Sequence, residues 1–475
     1  MALAGTLACG HAASPRAAIV RRESHSSRPS GREAPSPLLG EYTVVYDGHA
    51  ELRVEAEIDR AGASFRVEGG AEPYVADFEL ASGSAWRAGG RSGGAFVAAP
   101  CAVERCRVRY RYKLREAARR IDDLDVASEE GEVLEAPPST WLLAPDSANA
   151  DARVRFRVQT TEKTTFVTGV FRSRETPDAV WEIALGDLWT SPYSAFGPLR
   201  RRTIPVASAP GAEIELAIAP GKLLVGDDDL AAWVDGAARS IVTYFGQFPL
   251  HEALVLLVPG RGTWVGEGKT LSGGGGSIFL RLGEKAPLRA LRQDWVLVHE
   301  MTHLAFPSVA REHDWAEEGL ATYVEPFARA RAGAMPAEDA WRSLVDGLPH
   351  GLPGPGDKGL DRTPTWGRTY WGGALFYLLA DVEIRSRSSQ RLGLEHALRG
   401  LLAAGGNNAR RWSLEEAFTA ADEAIGLPVL RELHARMGSS PHPVDLEALW
   451  QKLGVVRTKG SVRFDDSAPL AAIRR

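Results

Sequence analysis

The sequence is poor in cysteine, nearly balanced in charge and free of long apolar runs. Its 475 residues carry a formal net charge of −5, which gives no electrostatic reason to expect nucleic acid as a partner. No apolar run approaches the roughly 20 residues that a membrane-spanning helix needs, and no internal repeat is present. These absences argue against a helical membrane protein, a repeat protein and a nucleic-acid binder.

Composition and length are those of a globular protein with more than one domain. Apolar residues make up 44% and charged residues 25% of the chain, and both values are ordinary. A chain of this length buries large cores and is expected to hold two or three domains.

The three cysteines are Cys9, Cys101 and Cys106. The small, apolar residues around Cys9 look like the end of a bacterial lipoprotein signal that lacks its basic start, which a start upstream of Met1 would supply. We therefore expect export, to the periplasm or to a membrane through a lipid on Cys9. The alternative is a frayed cytoplasmic N-terminus. Cys101 and Cys106 stand five residues apart in a β-rich region and could close a small disulfide loop.

Changes in residue pattern divide the chain into four parts. Residues 1–38 are expected to be a signal remnant and disordered tether, because 11–37 are rich in Ala, Ser, Pro and Arg. Residues 39–222 alternate apolar and polar positions in short runs, which predicts an antiparallel β-sandwich. Residues 223–425 are mainly helical in pattern, and 426–475 are a helical extension. The expected strands are 42–46, 52–58, 108–114, 154–158, 214–218 and 253–258, and the expected helices are 228–245, 336–348, 372–385, 392–402, 413–425 and 444–453.

The most informative stretch is His299-Glu300-Met301-Thr302-His303. On a helix, histidines four residues apart project from one face and can hold one Zn²⁺. Glu300 points at a different angle, which suits a general base acting on a metal-activated water. The apolar spacing of residues 288–298 predicts that one helix leads into the motif, and Pro307 ends it.

A third ligand is expected from the next helix, where Glu317 and Glu318 are adjacent. Asp314 is a good N-cap, and Glu317 three residues later could complete a capping box with it. Glu318 is then the better ligand, and Gly319 beside it would let the two helices approach closely. His313, just before the cap, is the weaker candidate for a ligand.

This helix pair resembles the gluzincin metallopeptidases, in which a zinc-binding helix is followed by a glutamate in a similar Glu-Gly context. Fourteen residues separate His303 from Glu318, a shorter spacing that looks more like the peptidases around the glycyl aminopeptidases than the alanyl aminopeptidases. The resemblance covers roughly residues 225–425 and implies a thermolysin-like zinc peptidase domain. Such proteins commonly carry a β-domain ahead of it, so the expected fold is α+β and multidomain.

Tyr370, in Thr369-Tyr370-Trp371-Gly372-Gly373, is similar to the tyrosine that hydrogen-bonds the oxyanion in these peptidases. A phenol at the open metal position can donate to developing negative charge. The alternative is that Tyr370 is one of a run of aromatic residues that pack the following helix into the core.

The glycine-rich loop before the motif is the expected substrate-binding element. Gly274, Gly275, Gly276 and Ser277 precede the apolar run 278–280, which is predicted to be an edge strand that pairs with an extended peptide. The related aminopeptidases carry a glutamate there for the substrate amine, and this loop has none. Exopeptidase and endopeptidase activity therefore both stay open, and a flexible loop is the alternative.

The sequence as a whole predicts a zinc metallopeptidase with one Zn²⁺ per chain and a peptide or protein as substrate. His299, His303 and Glu318 are the expected ligands, with Glu300 as general base. Glu325, on the same helix face as Glu318, is expected to orient a zinc histidine or else to be a surface carboxylate. The alternatives are a catalytically inactive gluzincin-fold binding or assembly protein at the cell surface, and an intracellular hydrolase of small amides.

Overall fold

The computed structural model describes residues 37–59, 62–102, 105–146, 149–176 and 179–474. The predicted signal remnant, most of the tether and Cys9 lie outside these residues. The described chain divides into two compact units. The first runs to Arg202 and includes Glu215–Leu224 and Glu252–Lys285, and the second holds Thr203–Ile214, Val225–His251 and the chain from Ala286 onward. Residues 252–285, which the sequence pattern placed with the helical part, thus group with the β-rich unit.

The first unit is built from β-strands and three short helices. Its helices are α1 (Leu114–Ile121), α2 (Pro138–Trp141) and α3 (Leu185–Leu188). Strands β16 and β17 run across the boundary between the units. The strands are β1 (Leu38–Tyr46), β2 (Leu52–Asp59), β3 (Ser64–Arg66), β4 (Val75–Ser82), β5 (Ala85–Ala88), β6 (Gly90–Ser92), β7 (Ala95–Val97), β8 (Arg105–Tyr112), β9 (Ser128–Glu130), β10 (Val133–Glu135), β11 (Ala144–Pro145), β12 (Arg153–Gln159), β13 (Thr165–Thr168), β14 (Trp181–Ala184), β15 (Ser194–Gly197), β16 (Arg200–Pro205), β17 (Glu213–Ile218), β18 (Glu252–Gly260), β19 (Val265–Ser272) and β20 (Gly276–Gly283).

A seven-stranded sheet in the order β14-β12-β1-β2-β8-β4-β5 dominates the first unit. Strand β2 shows why it forms: its side chains alternate strictly between buried and exposed, as a strand with one face on a core requires. Within this sheet the predicted antiparallel arrangement holds for every pair except β1 and β12, which run parallel. The remaining strands of this unit form sheets in the orders β13-β15-β10-β9, β11-β3-β7-β6 and β16-β17-β18-β20-β19.

Buried aromatic residues fill the core beside this sheet. Trp141 packs edge-on against Phe156, with ring centroids 5.6 Å apart. The polar ends of two buried tyrosines are satisfied by backbone carbonyls, since Tyr42 donates to Leu143 O at 2.7 Å and Tyr110 donates to Trp141 O at 2.8 Å. Near this core, Cys101 and Cys106 form the disulfide that the sequence allowed.

The second unit is helical, as predicted. Among the described residues, no helix combines the length and apolarity that crossing a membrane demands. The helical extension expected at 426–475 holds two helices, but it also contains a hairpin, β21 (Val455–Thr458) with β22 (Ser461–Phe464), that the pattern did not indicate. The helices are α4 (Asp227–Phe245), α5 (Leu288–Arg292), α6 (Val296–His303), α7 (Asp314–Arg331), α8 (Ala337–Gly347), α9 (Gly373–Arg387), α10 (Leu394–Ala403), α11 (Leu414–Ile425), α12 (Val429–Met437) and α13 (Leu446–Leu453).

Trp315, at the start of α7, lies at the centre of the aromatic core of this unit. Its ring centroid is 4.9 Å from that of Phe376 in α9 and 6.4 Å from that of Phe418 in α11. Aromatic pairs of this kind add roughly 0.5–1.5 kcal/mol beyond the burial of their area. The core therefore fixes the position of α7 relative to the helices that follow it.

The helix that carries the histidine motif is shorter than predicted. The single helix expected from residue 288 is broken into α5 and α6, because the Asp294 carboxylate accepts the Val296 and Leu297 N–H groups at 2.9 and 3.0 Å. These two amides are among those that a new helix leaves without an internal partner. Asp294 therefore starts α6 at a defined residue, one turn before the motif.

Candidate metal centre

Helix α6 presents His299, Glu300 and His303 within the second unit. His299 and Glu300 are buried, and His303 is partly buried. The two imidazole rings are nearly perpendicular, with centroids 5.1 Å apart. The spacing of four residues thus brings both rings to one face of the helix, as the sequence indicated.

Helix α7 brings Glu318 against both histidines. One carboxylate oxygen of Glu318, Oε2, lies 3.2 Å from His299 Nε2 and 3.5 Å from His303 Nε2. Ligand atoms about 2.1 Å from a tetrahedral zinc ion stand roughly 3.4 Å apart, so the three atoms are spaced as such ligands require. Two imidazoles with one carboxylate are also a donor set that leaves a fourth position open. The residues therefore fit a zinc ion of the catalytic type.

The charges within this centre favour the ionised forms of Glu318 and His303. Burial alone would raise the pKa of Glu318, but the charges and hydrogen bonds of His303 and His299 outweigh burial and hold it well below its usual range. Burial alone would lower the pKa of His303, but Glu318 outweighs it and raises the pKa to about 9. Glu300 contributes to the same rise, which places its carboxylate within electrostatic reach of His303. Glu318 is therefore ionised in the folded chain and offers a carboxylate to a cation.

Glu317 has a different role from the predicted capping box. Its Oε1 accepts the Val309 N–H at 3.0 Å, and α7 begins at Asp314 without a side-chain cap. The capping-box prediction was wrong because the segment that links α6 to α7 folds back, and the Val309 N–H donates to this carboxylate instead. Burial raises the pKa of Glu317 to about 7. Glu317 therefore ties the linker to α7 while its neighbour Glu318 faces the histidines.

Tyr370 lies beside the first histidine. It is half-buried on a π-helical turn, Gly367–Gly372, that leads into α9, and π turns are frequent at functional sites. Its ring lies nearly parallel to that of His299, with centroids 6.3 Å apart. Tyr370 is therefore close to the centre rather than confined to the aromatic core.

Gly319 makes a helix contact other than the predicted one. A Cβ built on Gly319 would lie 2.3 Å from Gly373 Cα in α9, closer than real atoms approach. The glycine was expected to bring α7 close to α6, and it brings α7 close to α9 instead. Because Tyr370 precedes α9 directly, this contact sets the distance between the helix that carries Glu318 and the turn that carries Tyr370.

Glu325 is buried near the histidines, but its carboxylate pairs with the guanidinium group of Arg329. Its Oε1 accepts Arg329 Nη1 at 2.7 Å. Burial raises the pKa of Glu325, while the charges of Arg329 and His299 lower it. The structure thus brings Glu325 within electrostatic reach of His299, and the hydrogen bond that it shows is the one from Arg329.

The edge-strand prediction was wrong. Residues 278–280 lie in β20, which pairs with β18 on one side and with β19 on the other, so a peptide cannot join it as an added strand. Ser277 is buried: its hydroxyl donates to Leu271 O and accepts the Tyr193 N–H. Gly276 N–H donates to Gly169 O, and Gly274 O accepts the Phe171 N–H. Strand addition beside β20 is therefore excluded, and the substrate-binding role expected for Gly274, Gly275, Gly276 and Ser277 stays a prediction.

Two exposed tryptophans border the centre and were not predicted as site residues. Trp295 stands edge-on to His299, with centroids 5.6 Å apart, and Trp366 lies 6.3 Å from Tyr370. They are 43% and 49% exposed, whereas the other tryptophans of this unit are buried or partly buried. Their spacing in the sequence could have indicated this position. Trp295 lies four residues before His299 and Trp366 four residues before Tyr370, about one helical turn in each case.

The fold of this chain is that of the zinc metallopeptidases of the aminopeptidase N type. One similar structure is an aminopeptidase N family protein from Idiomarina loihiensis, with 15% identity, a TM-score of 0.66, and coverage of 88% of this chain and 79% of that one. Another is an M1 zinc metallopeptidase from Deinococcus radiodurans, with 15% identity, a TM-score of 0.53, and coverage of 86% and 96%. A glutamate-to-alanine variant of the latter is bound to a Tyr-Ser-Ala substrate, with 14% identity, a TM-score of 0.54, and coverage of 86% and 95%.

Neither a protein-family model nor a curated protein sequence matches this chain. At these identities the likeness establishes the fold. It extends beyond the 225–425 segment to which the sequence resemblance was confined, because it covers the β-rich unit as well.

Proposed function

We propose that this protein is a zinc-dependent peptidase. The observation that carries the proposal is the approach of two imidazole nitrogens, from His299 and His303, to a single carboxylate oxygen of Glu318. Such a donor set binds zinc and leaves a position for water or substrate. The aminopeptidase N-like fold supports the same class of chemistry, and the peptide bound to the Deinococcus radiodurans variant supports a peptide as substrate.

One zinc ion at this centre would act as a Lewis acid on water and on the scissile carbonyl. The Glu300 carboxylate takes the proton of the attacking water and later delivers it to the leaving amine. Glu300 suits this task because it is buried on the same helix as both histidines and close to His303. The Tyr370 hydroxyl donates a hydrogen bond to the negative charge that develops on the carbonyl oxygen.

The test is zinc content together with cleavage of a peptide library by the purified full chain. Glu300→Gln should keep its zinc, because the ligands are intact, and lose roughly 10²- to 10⁴-fold in kcat, because the amide cannot accept the proton. Glu415→Gln, at an exposed position of α11, is the matched control and should keep full activity. A wild-type chain that binds no zinc, or an active Glu300→Gln variant, would refute the proposal.

We also propose that the protein works outside the cytoplasm. The disulfide between Cys101 and Cys106 supports this, because such bonds persist in oxidising compartments. Growth with a labelled fatty acid should mark Cys9 if a longer start is used. Free thiols at both Cys101 and Cys106 in protein from the cytosolic fraction would count against export.

A further inference from the structure

His313, Asp361 and His434 form a second cluster of metal-binding side chains, all within the second unit. His313 Nδ1 lies 2.8 Å from Asp361 Oδ1, and His434 Nε2 lies 3.0 Å from Asp361 Oδ2. One candidate ligand atom from each residue can be chosen so that all three lie within 4.8 Å of one another. The cluster shares no residue with His299, His303 and Glu318, and peptide hydrolysis as proposed above does not use it.

Three separate segments supply these side chains. His313 ends the short turn Arg311–His313 before α7, Asp361 lies in the turn Leu360–Arg362, and His434 lies in α12. The Asp361 N–H donates to Gly438 O at 2.9 Å, which holds its turn against the end of α12. A Cβ on Gly438 would lie 2.7 Å from both Asp361 Oδ2 and His434 Nε2, so a side chain at this position would push the pair apart. The backbone is thus shaped around the cluster.

The surroundings resemble those of a bound metal. Trp315 Nε1 donates to Asp361 Oδ1 at 2.8 Å, and outer hydrogen bonds of this kind orient carboxylate ligands. The His434 ring contacts Trp315 and Phe418, with centroids 5.9 and 5.8 Å away, which gives it an apolar wall. The three side chains are 20%, 18% and 22% exposed, which leaves room for water to complete a coordination shell.

A nitrogen that faces a carboxylate oxygen either donates a proton to it or shares a metal ion with it, and both arrangements use the same atoms. In the first centre, too, two imidazole nitrogens face one carboxylate, although both meet a single oxygen of Glu318 there and each meets its own oxygen of Asp361 here. Two nitrogens with one oxygen favour zinc and its transition-metal neighbours over magnesium or calcium, which prefer oxygen alone.

We propose that His313, Asp361 and His434 bind a second divalent transition-metal ion, with zinc as the ion that this donor set favours. The ion would join the start of α7, the turn before α9 and helix α12. His313 stands just before the first residue of α7, and Glu318 follows it by five residues. The second ion would therefore anchor the N-terminal end of the helix that carries Glu318, a ligand of the first ion. Its role is structural, because metal binding stabilises the state in which the three segments are assembled.

The experiment is a zinc count on the full chain, after removal of metal by chelation, reloading with zinc and gel filtration. We expect two zinc ions per wild-type chain, one in His303→Ala, one in Asp361→Ala, and none in the double variant. His49→Ala, at an exposed histidine of the first unit, is the control and should keep both. Melting temperature should fall in Asp361→Ala, and excess zinc should raise it in the wild type but not in this variant.

The outcomes separate this inference from the proposed peptidase. One zinc per wild-type chain that His303→Ala removes completely overturns the second site, even if Asp361→Ala lowers the melting temperature as a lost hydrogen bond would. One zinc per wild-type chain that Asp361→Ala removes completely but His303→Ala leaves in place overturns the first centre and keeps the second. If Asp361→Ala and the milder His434→Gln fail to fold, His303→Ala decides: one bound zinc or Co²⁺ supports the second site, and none overturns it.

Discussion

Gly319 in α7 and Gly373 in α9 pack backbone to backbone. A Cβ on Gly319 would approach Gly373 Cα to 2.3 Å, and one on Gly373 would approach Gly319 Cα to 2.7 Å. Neither helix can therefore carry a side chain at this point without moving. The pair fixes Glu318, the neighbour of Gly319, relative to Tyr370, which lies just before α9.

Gly319→Ala should separate these helices and reduce both stability and activity. Overpacking of this kind costs about 1–3 kcal/mol, which urea unfolding will measure. Peptidase activity should fall further than the unfolded fraction explains, because Glu318 and Tyr370 move apart. The control is Gly236→Ala in α4, where a new Cβ meets no atom within 4 Å and helix propensity predicts a gain of up to about 1 kcal/mol. Similar stabilities for the two variants would contradict the contact.

Tyr370→Phe should lower kcat by roughly 10²- to 10³-fold with little change in KM, because the hydroxyl acts on charge that develops only in the transition state. Zinc content should be unchanged. Tyr377→Phe is the contrasting variant: its buried hydroxyl donates to Ala316 O at 2.9 Å, so its loss should cost about 0.5–1.5 kcal/mol of stability and leave kcat intact. Equal kcat values for Tyr370→Phe and the wild type would remove Tyr370 from the mechanism.

Asp294→Asn should change how stability depends on pH. Burial raises the pKa of Asp294 to about 6 from its ordinary 3.8, although the Leu297 and Val296 amides oppose the rise. Between these pH values the unfolded chain releases this proton while the folded chain retains it, so this group lowers stability as pH rises. The loss is up to about 3 kcal/mol at 1.36 kcal/mol per pKa unit, and an asparagine cannot show it.

Unfolding of the wild type and Asp294→Asn should therefore be compared at several pH values from 4 to 7. Groups that titrate alike in both proteins cancel in the difference between their free energies of unfolding. That difference should shift in favour of Asp294→Asn as pH rises. Parallel curves would mean that Asp294 is not desolvated at the start of α6.

Trp366→Ala should weaken binding of peptides with large apolar side chains. The exposed ring lies 6.3 Å from that of Tyr370 and offers an aromatic surface at the centre. Loss of an aromatic contact worth about 0.5–1.5 kcal/mol would raise KM roughly 2- to 10-fold for such peptides and less for peptides of alanine. Trp264→Ala is matched in exposure, since both tryptophans are 49% exposed. Equal effects of the two substitutions on KM would exclude a role for Trp366 in binding.

Short-range spacing predicted much of the centre. Four residues between His299 and His303 suffice to place both rings on one helix face, and Glu318 follows on the next helix. The role of Glu317 could not be predicted in the same way. Whether it bonds to its own helix or to Val309 depends on where the linker returns, and local sequence does not encode that path.

Pairings between distant segments were beyond the sequence pattern. The parallel neighbours β1 and β12 are separated by ten strands in the chain, and an alternating pattern does not specify a partner or its direction. Strand β20 has the composition of an edge strand or a central one, and only its pairing with β18 and β19 decides between them. Asp361 lies 48 residues after His313 and 73 before His434, so no motif marks that cluster.

The helix that bears the histidine pair has only eight residues, about two turns. Helices shorter than roughly 12–15 residues are marginal in water on their own. The Asp294 carboxylate at its first turn and the packing of α4 and α7 around it maintain this one. A synthetic peptide spanning Val296–His303 should therefore be unstructured and bind zinc weakly. The ability to hold a metal therefore belongs to the folded second unit, and the five-residue motif from His299 to His303 does not provide it in a chain that lacks this packing.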